Sequence, residues 1–374
     1  MYSFVRSLAP HDIEAIAAQL FVELLKRGFT SVAEFHYLRN AKDGTPYEDP
    51  VEMARRILKA SEATGIGLTI LPTLYQASDF GGLKPEPDQR RFLNNVEGLI
   101  SDIAILGAEA SGSTVRIGLA LHSLRAVPGD SLSTAIDAAR KMDPTIPIHI
   151  HVAEQLREVE RSLSYYGTRP AAWLLDHAPV DKEWCLIHAT HIDAAEIAGI
   201  SASGATVGLC PTTEANLGDG IFPFLEYQNR KGTWAIGTDS HVGRGPASEL
   251  RLLEYGQRLK TRTRNVAAGA QHKSTGRTLL DAAWSGGATA SGRRIGSIAK
   301  GARADIVILD QNHPALLGLS EDDALDAWIF SGDETPVSDV FTGGNHVVRQ
   351  GRHVVADNVY DSYAEVARNL AKNM

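Results

Sequence analysis

The residues best equipped for chemistry begin in Ile146 to Glu154, I-P-I-H-I-H-V-A-E. Its β-branched Ile146, Ile148 and Ile150 form an apolar run too short for a helix, which predicts a buried strand. His149 and His151 are two apart, so they point to the same side of that strand. Glu154 follows His151 by three residues, where strand gives way to loop. A carboxylate there can reach a water bound to a metal on His151 and shuttle its protons. The same trio also reads as two core histidines and a helix-starting glutamate, and downstream residues shift the balance toward chemistry. His188, in L-I-H-A-T-H, and Asp239, in T-D-S-H, close two further apolar runs. Two imidazoles and a carboxylate suit Zn2+ or Fe2+, with an open position for a reactive water. Asp239 can ligate the ion, accept a proton from the water, or do both in turn. His188 can ligate, or steady a hydroxide through a hydrogen bond.

These residues need elements to hold them. Ile13, Ile16, Ala17, Leu20 and Leu24 form a helical stripe that stops at Gly28. A strand over Thr30 to Tyr37, a helix over 51–64 and a strand over Ile66 to Tyr75 follow. Next come a helix near 89–106, a strand over Val115 to Leu121, the opening stretch, and a helix and loop region at 155–178. Strands at Trp184 to His188, Thr206 to Cys210 and Trp234 to Asp239 complete the series. Apolar strands alternating with helices predict a parallel α/β sheet covered on both faces. His36, Tyr37, His122, Arg125, His151, His188 and Asp239 all fall at C-terminal strand ends, where a (β/α)8 barrel keeps its active site. No glycine-rich nucleotide loop follows the first strand, which disfavours a doubly wound sheet. The strands number seven where a closed barrel needs eight, and the chain opens on a helix, so the absent strand is expected to be the first. The barrel is expected over 1–295. Gly301 to Leu309 and Ser338 to Arg349, with a turn at Gly343-Gly344, predict part of a small β-sandwich over 296–359. Asn312 to Glu334 between them shows little periodicity, and 360–374 reads as a surface helix.

Composition bounds the class. The 374 residues are 43% hydrophobic and 22% charged, ordinary for an enzyme of this size. A net charge of −8 gives no global attraction to nucleic acid or anionic membrane. Cys185 and Cys210 each lie in an apolar run and read as buried thiols rather than a disulfide. The opening residues carry no long apolar segment and no 18-residue apolar run occurs, so a cytoplasmic enzyme is expected.

The order H-V-A-E (151–154), L-I-H (186–188), T-D-S-H (238–241) and G-A-R-A-D-I-V-I-L-D (301–310) resembles the amidohydrolase superfamily, with His-x-x-Glu the mark of its deaminase branch. More narrowly the chain is similar to the family of N-formimidoyl-L-glutamate deiminases of histidine degradation. That likeness is carried by T-S-V-A-E-F-H-Y-L (30–38), G-L-A-L-H-S-L-R-A-V (118–127), H-I-H-V-A-E-Q (149–155), G-L-C-P-T-T-E-A-N-L-G-D-G-I-F-P (208–223) and E-L-R-L-L-E-Y-G-Q-R-L (249–259). The resemblance implies an amidohydrolase-type barrel with one divalent metal, Zn2+ before Fe2+, and His151 and Asp239 as ligands. It implies Glu154 as the general acid/base, with His188 beside the metal's water and Asp239 also taking part in catalysis. Tyr37, His122 and Arg125 correspond to substrate contacts. A guanidinium fork is a natural partner for the two carboxylates of a glutamate derivative. Members of this superfamily often form dimers, which makes a homodimer an expectation. One departure stands out: the superfamily's His-x-His pair on the first strand has no counterpart before Thr30. The N-terminal portion is therefore expected to be absent. Two other readings stay open, a deaminase of nucleobases and a truncated chain without activity.

Overall fold

Alternation of apolar strands with amphipathic helices builds a curled parallel sheet in the structure, a computed structural model describing residues 2–110, 114–269 and 273–372. Its strands are β1 (Ser31–His36), β2 (Gly67–Leu74), β3 (Val115–Ile117), β4 (Leu119–Ser123), β5 (Ile148–Val152), β6 (Trp184–His188), β7 (Thr206–Leu209) and β8 (Thr233–Ile236). They are ordered β1-β2-β4-β5-β6-β7-β8, with β3 also on β2. β3 and β4 are two halves of one strand broken at Gly118, where a Cβ would lie 3.0 Å from the Pro147 carbonyl oxygen. The seven expected strand positions are thus all present, and among the described residues β1 and β8 each pair on one side only. β2, inside the sheet, is buried at every residue, whereas β1 is at least partly exposed throughout.

The helix Thr275–Ser291 is pressed against β8, where a Cβ on Gly286 would overlap the Trp234 carbonyl. Its C-terminal carbonyls end among the lower strand residues. The Ala290 carbonyl accepts from His149 Nε2 at 2.7 Å, and that of Ser291 from the Thr69 hydroxyl at 2.8 Å. Orphan carbonyls at a helix terminus are in this way satisfied inside the fold. His149 is 2% exposed, and burial pushes its basicity down to about 4. It is a core histidine, although it shares a strand face with His151.

Several elements differ from the sequence expectation. The helix expected near 89–106 runs from Val96 to Glu109, started by Asn95, whose side chain accepts from the Gly98 amide. The 155–178 region holds two helices, Leu156–Tyr166 and Pro170–His177. Within the aperiodic Asn312 to Glu334 lies a helix, Glu321–Phe330, whose buried Ala327, Trp328 and Ile329 are consecutive and so leave no helical stripe to read.

The tail forms one antiparallel sheet, ordered β12-β11-β10-β9, of β9 (Ile306–Leu309), β10 (Val337–Thr342), β11 (Asn345–Arg349) and β12 (Arg352–His353). Gly343 and Gly344, at φ +57° and +84°, make the two-residue turn between β10 and β11. The sheet rests on the barrel's first helices, with His353 Nε2 donating to the Thr64 carbonyl at 2.9 Å. The final helix begins at Ala356, earlier than expected, and runs to Lys372; residues 373 and 374 lie outside the described residues. No helix of the described residues is long and apolar enough to cross a membrane.

Candidate active site

Three strands end in backbone that L-residues seldom adopt. Ala153 after β5, His188 and Ala189 at β6, and Asp239 after β8 have φ of +52°, +69°, +46° and +43°. The side chains held there converge. Nε2 of His188 lies 3.8 Å from Glu154 Oε1 and 3.8 Å from Asp239 Oδ2. Cys185 and Cys210 are both buried free thiols, as the sequence indicates.

The two imidazoles are oriented by acceptors behind them. His151 Nδ1 donates to the His122 carbonyl at 2.8 Å, and His188 Nδ1 contacts Glu214 Oε1 at 3.2 Å. Each ring then presents Nε2, the arrangement found in metal-ligating histidines. The rings stack, with centroids 5.7 Å apart. Burial, then neighbouring His122 and His188, holds His151 well below the usual histidine range. For His188, burial opposes the charged form, but the carboxylates of Glu214, Glu154 and Asp239 outweigh it and raise its basicity. Burial raises the carboxyls of Glu154 and Asp239, with the His188 charge opposing. Asp239 rises in this way although 36% of its side-chain surface stays exposed, because protein crowds the mouth in which it sits.

A cation would find donors here. One ring nitrogen of His188, the Cys210 sulfur and a carboxylate oxygen of Asp239 all lie within 4.8 Å of one another. Burial keeps the Cys210 thiol protonated, with the Glu214 and Asp239 charges adding to the effect, so nitrogen and oxygen are the competent donors. His151, outside that grouping, adds an available Nε2 from the adjacent strand. The residues present therefore fit a zinc-like ion.

The expected substrate contacts flank this centre. Tyr37, His122, His151 and His188 form a row of rings with successive centroids 5.5, 5.1 and 5.7 Å apart. Tyr75, which the sequence reading passed over, packs on His122 at 4.7 Å. Burial, then Arg125, lowers His122 to about 3, so its ring is neutral near pH 7. The Arg125 guanidinium reaches Glu154 Oε2 at 3.8 Å. His36 does not join them. The strand alternation that turns Phe35 toward His149 and His151 sends His36 to the other face, beside Arg39, Met53 and Asp102.

Buried carboxylates behind the rim escaped sequence reading. Glu158 accepts from the amides of Ala153 and Glu154, both at 3.0 Å, and so holds the turn that carries Glu154. Glu214 accepts from the Cys210 amide at 2.8 Å, and Glu249 from the Thr212 amide at 2.9 Å. Gln155 Nε2 donates to Asp219 at 2.9 Å. A capping box would have signalled Glu214, but it stands four residues after Cys210 instead of three.

Comparison with known proteins agrees with this geometry. The model of the amidohydrolase family matches residues 1–347. Formimidoylglutamate deiminase from Pseudomonas aeruginosa is 45% identical over 370 residues, covering 99% of this chain and 81% of that protein. A 5-methylthioadenosine/S-adenosylhomocysteine deaminase from Natronomonas pharaonis is 29% identical over 311 residues, 83% of this chain and 65% of the other. Among solved structures, an amidohydrolase from Brucella melitensis superposes with TM-score 0.92 at 44% identity, over 99% of this chain and 81% of that one. A zinc-bound adenosine deaminase from Xanthomonas campestris shares the fold at TM-score 0.80 and 20% identity, over 99% and 78% of the two chains. With its curled parallel sheet, its small antiparallel sheet and its rim of histidines and carboxylates, the chain belongs to the amidohydrolase family.

Proposed function

We propose that this chain hydrolyses N-formimidoyl-L-glutamate to N-formyl-L-glutamate and ammonia, a step of histidine degradation. Identity of 45% across 99% of the chain to a formimidoylglutamate deiminase supports the substrate. The convergence of Glu154 and Asp239 on His188, each at 3.8 Å, is the observation that carries the chemistry.

His151 and Asp239 would hold a divalent cation, zinc before iron, with His188 alongside. Such an ion supplies a lowered pKa for water and polarises the bond under attack. The chain's own groups do the rest. Arg125 pairs with a substrate carboxylate, while Tyr37 and neutral His122 flank it without adding charge. Asp239 takes a proton from the attacking water as its oxygen bonds to the formimidoyl carbon. His188 steadies that oxygen through Nε2. Glu154, whose carboxyl burial raises above the usual carboxylate range, carries protons between the water and the leaving nitrogen. Both water protons end on the terminal nitrogen, the carbon–nitrogen bond breaks, and ammonia leaves as the formyl oxygen forms.

The test is ammonia release from N-formimidoyl-L-glutamate by zinc-loaded protein, beside adenine, guanine and cytosine. Turnover of the amidine alone is expected. Faster turnover of a nucleobase would replace the reading by a nucleobase deaminase, and no release from any of them would remove it.

A further inference from the structure

The described residues hold one carboxylate at the back of His188. Glu214 lies in the first turn of the helix Pro211–Leu217 that follows β7, and it is almost wholly buried. Its Oε1 accepts from the Cys210 amide at 2.8 Å and meets His188 Nδ1 at 3.2 Å. The Cys210 bond fixes the carboxylate to the main chain, so the imidazole faces a static acceptor. His188 is 1% exposed, so its Nδ1 is turned away from bulk water. Its backbone cannot relax freely, because it sits at φ +69°.

We propose that Glu214 is the positioning residue of His188, holding its proton on Nδ1 so that Nε2 faces Glu154 and Asp239. The inference rests on the reading of His188 as a group of the reaction. A neutral imidazole carries one proton, and the partner at one nitrogen decides which nitrogen holds it. With an acceptor at Nδ1, the lone pair stands on Nε2, 3.8 Å from both rim carboxylates. Without that acceptor the proton can move to Nε2, where those two carboxylates would attract it. His188 would then offer a donor where the reaction needs a lone pair or a ligand.

Two variants of the full chain separate this role from packing. E214M keeps the side-chain length and removes the acceptor, while E214Q keeps one oxygen able to accept both bonds. Nitrogen-15 spectra of the metal-free chain, recorded at a pH high enough to neutralise the His188 ring and with its signal assigned from H188Q, report the tautomer directly. E214M is expected to move the proton to Nε2, and in the zinc-loaded chain to lower kcat about 10–100-fold with KM little changed. E214Q is expected to retain the Nδ1 proton and most of kcat. Wild-type kcat in E214M, an unchanged tautomer in E214M, or loss of the Nδ1 proton in E214Q would each overturn the proposal. Full turnover by H188Q would instead remove His188 from the reaction, and the inference with it. A dead H188Q beside an unaffected E214M would overturn this inference alone.

Discussion

His151 Nδ1 donates to the main-chain carbonyl of His122 across 2.8 Å, so the imidazole on β5 takes its orientation from β4. The bond uses the backbone of His122 and leaves its side chain free for another task. Replacing that side chain should therefore spare the metal and injure only substrate binding. H122A is expected to keep wild-type zinc content while its KM rises about tenfold, the loss of one buried polar contact. H151A should lose the metal itself. Elemental analysis beside steady-state kinetics separates the two. Loss of zinc in H122A would mean that the ring, and not the carbonyl, holds His151.

Arg125 stands 3.8 Å from Glu154, and its charge lowers a carboxyl that burial raises. Removing it should act on two observables at once. R125Q is expected to lower kcat/KM by about 10–100-fold, as a charged hydrogen bond to a carboxylate is lost. It should also move the Glu154 limb of the pH profile to higher pH, because burial would then act with less opposition. R125K should recover little of kcat/KM, since an ammonium cannot offer a planar fork. A KM unchanged in R125Q would place the substrate carboxylates elsewhere.

Glu154 reaches the site on a turn that Glu158 holds through two main-chain amides at 3.0 Å. The proposed proton transfer and the turn geometry therefore have separate owners. E154Q preserves the shape and is expected to cost about 100- to 10,000-fold in kcat, the usual contribution of a general acid/base. E158Q, which has one acceptor oxygen for two amides, should lower kcat less and lower the melting temperature more. The two variants, compared by kinetics and thermal unfolding, should rank in opposite orders. Equal effects in both would show that Glu154 matters only as part of the turn.

The strands and the rim histidines were legible because a sheet covered on both faces needs strands apolar through their length, and polar residues stand out at the ends of such runs. Asp239 and His188 gained meaning from lying at the ends of different apolar runs. The carboxylates behind them were not legible. Glu158 and Glu214 act on amides of residues four or five away, after the chain has turned, and a glutamate at that spacing also occurs on any exposed helix. The part played by His149 stayed open in the sequence. This residue shares a face with His151, yet its partner Ala290 lies 141 residues later, in a helix whose approach to the sheet no local pattern announces.

That partner sets a pH dependence of stability. His149 is ordinarily half-protonated near 6.5, and burial in the fold lowers this to about 4, with the Ala290 bond opposing only in part. The folded state thus keeps the neutral ring while the unfolded chain takes up a proton. Its contribution is fully present above about 6.5 and is lost as pH falls toward about 4. Across that window the loss is about 3 kcal/mol at most, from 1.36 kcal/mol per pKa unit. His36 and His241, each lowered to about 4 chiefly by burial, act in the same direction, while Glu34 and Glu249, raised to about 7 chiefly by burial, act against it, so the His149 share is read as the difference between wild type and variant from pH 7 to pH 5. H149Q can still donate to the Ala290 carbonyl but does not titrate. Its melting temperature should fall less over the same interval. Scanning calorimetry of metal-free protein at the two pH values decides the matter, and parallel slopes for wild type and H149Q would assign the acid sensitivity to other groups.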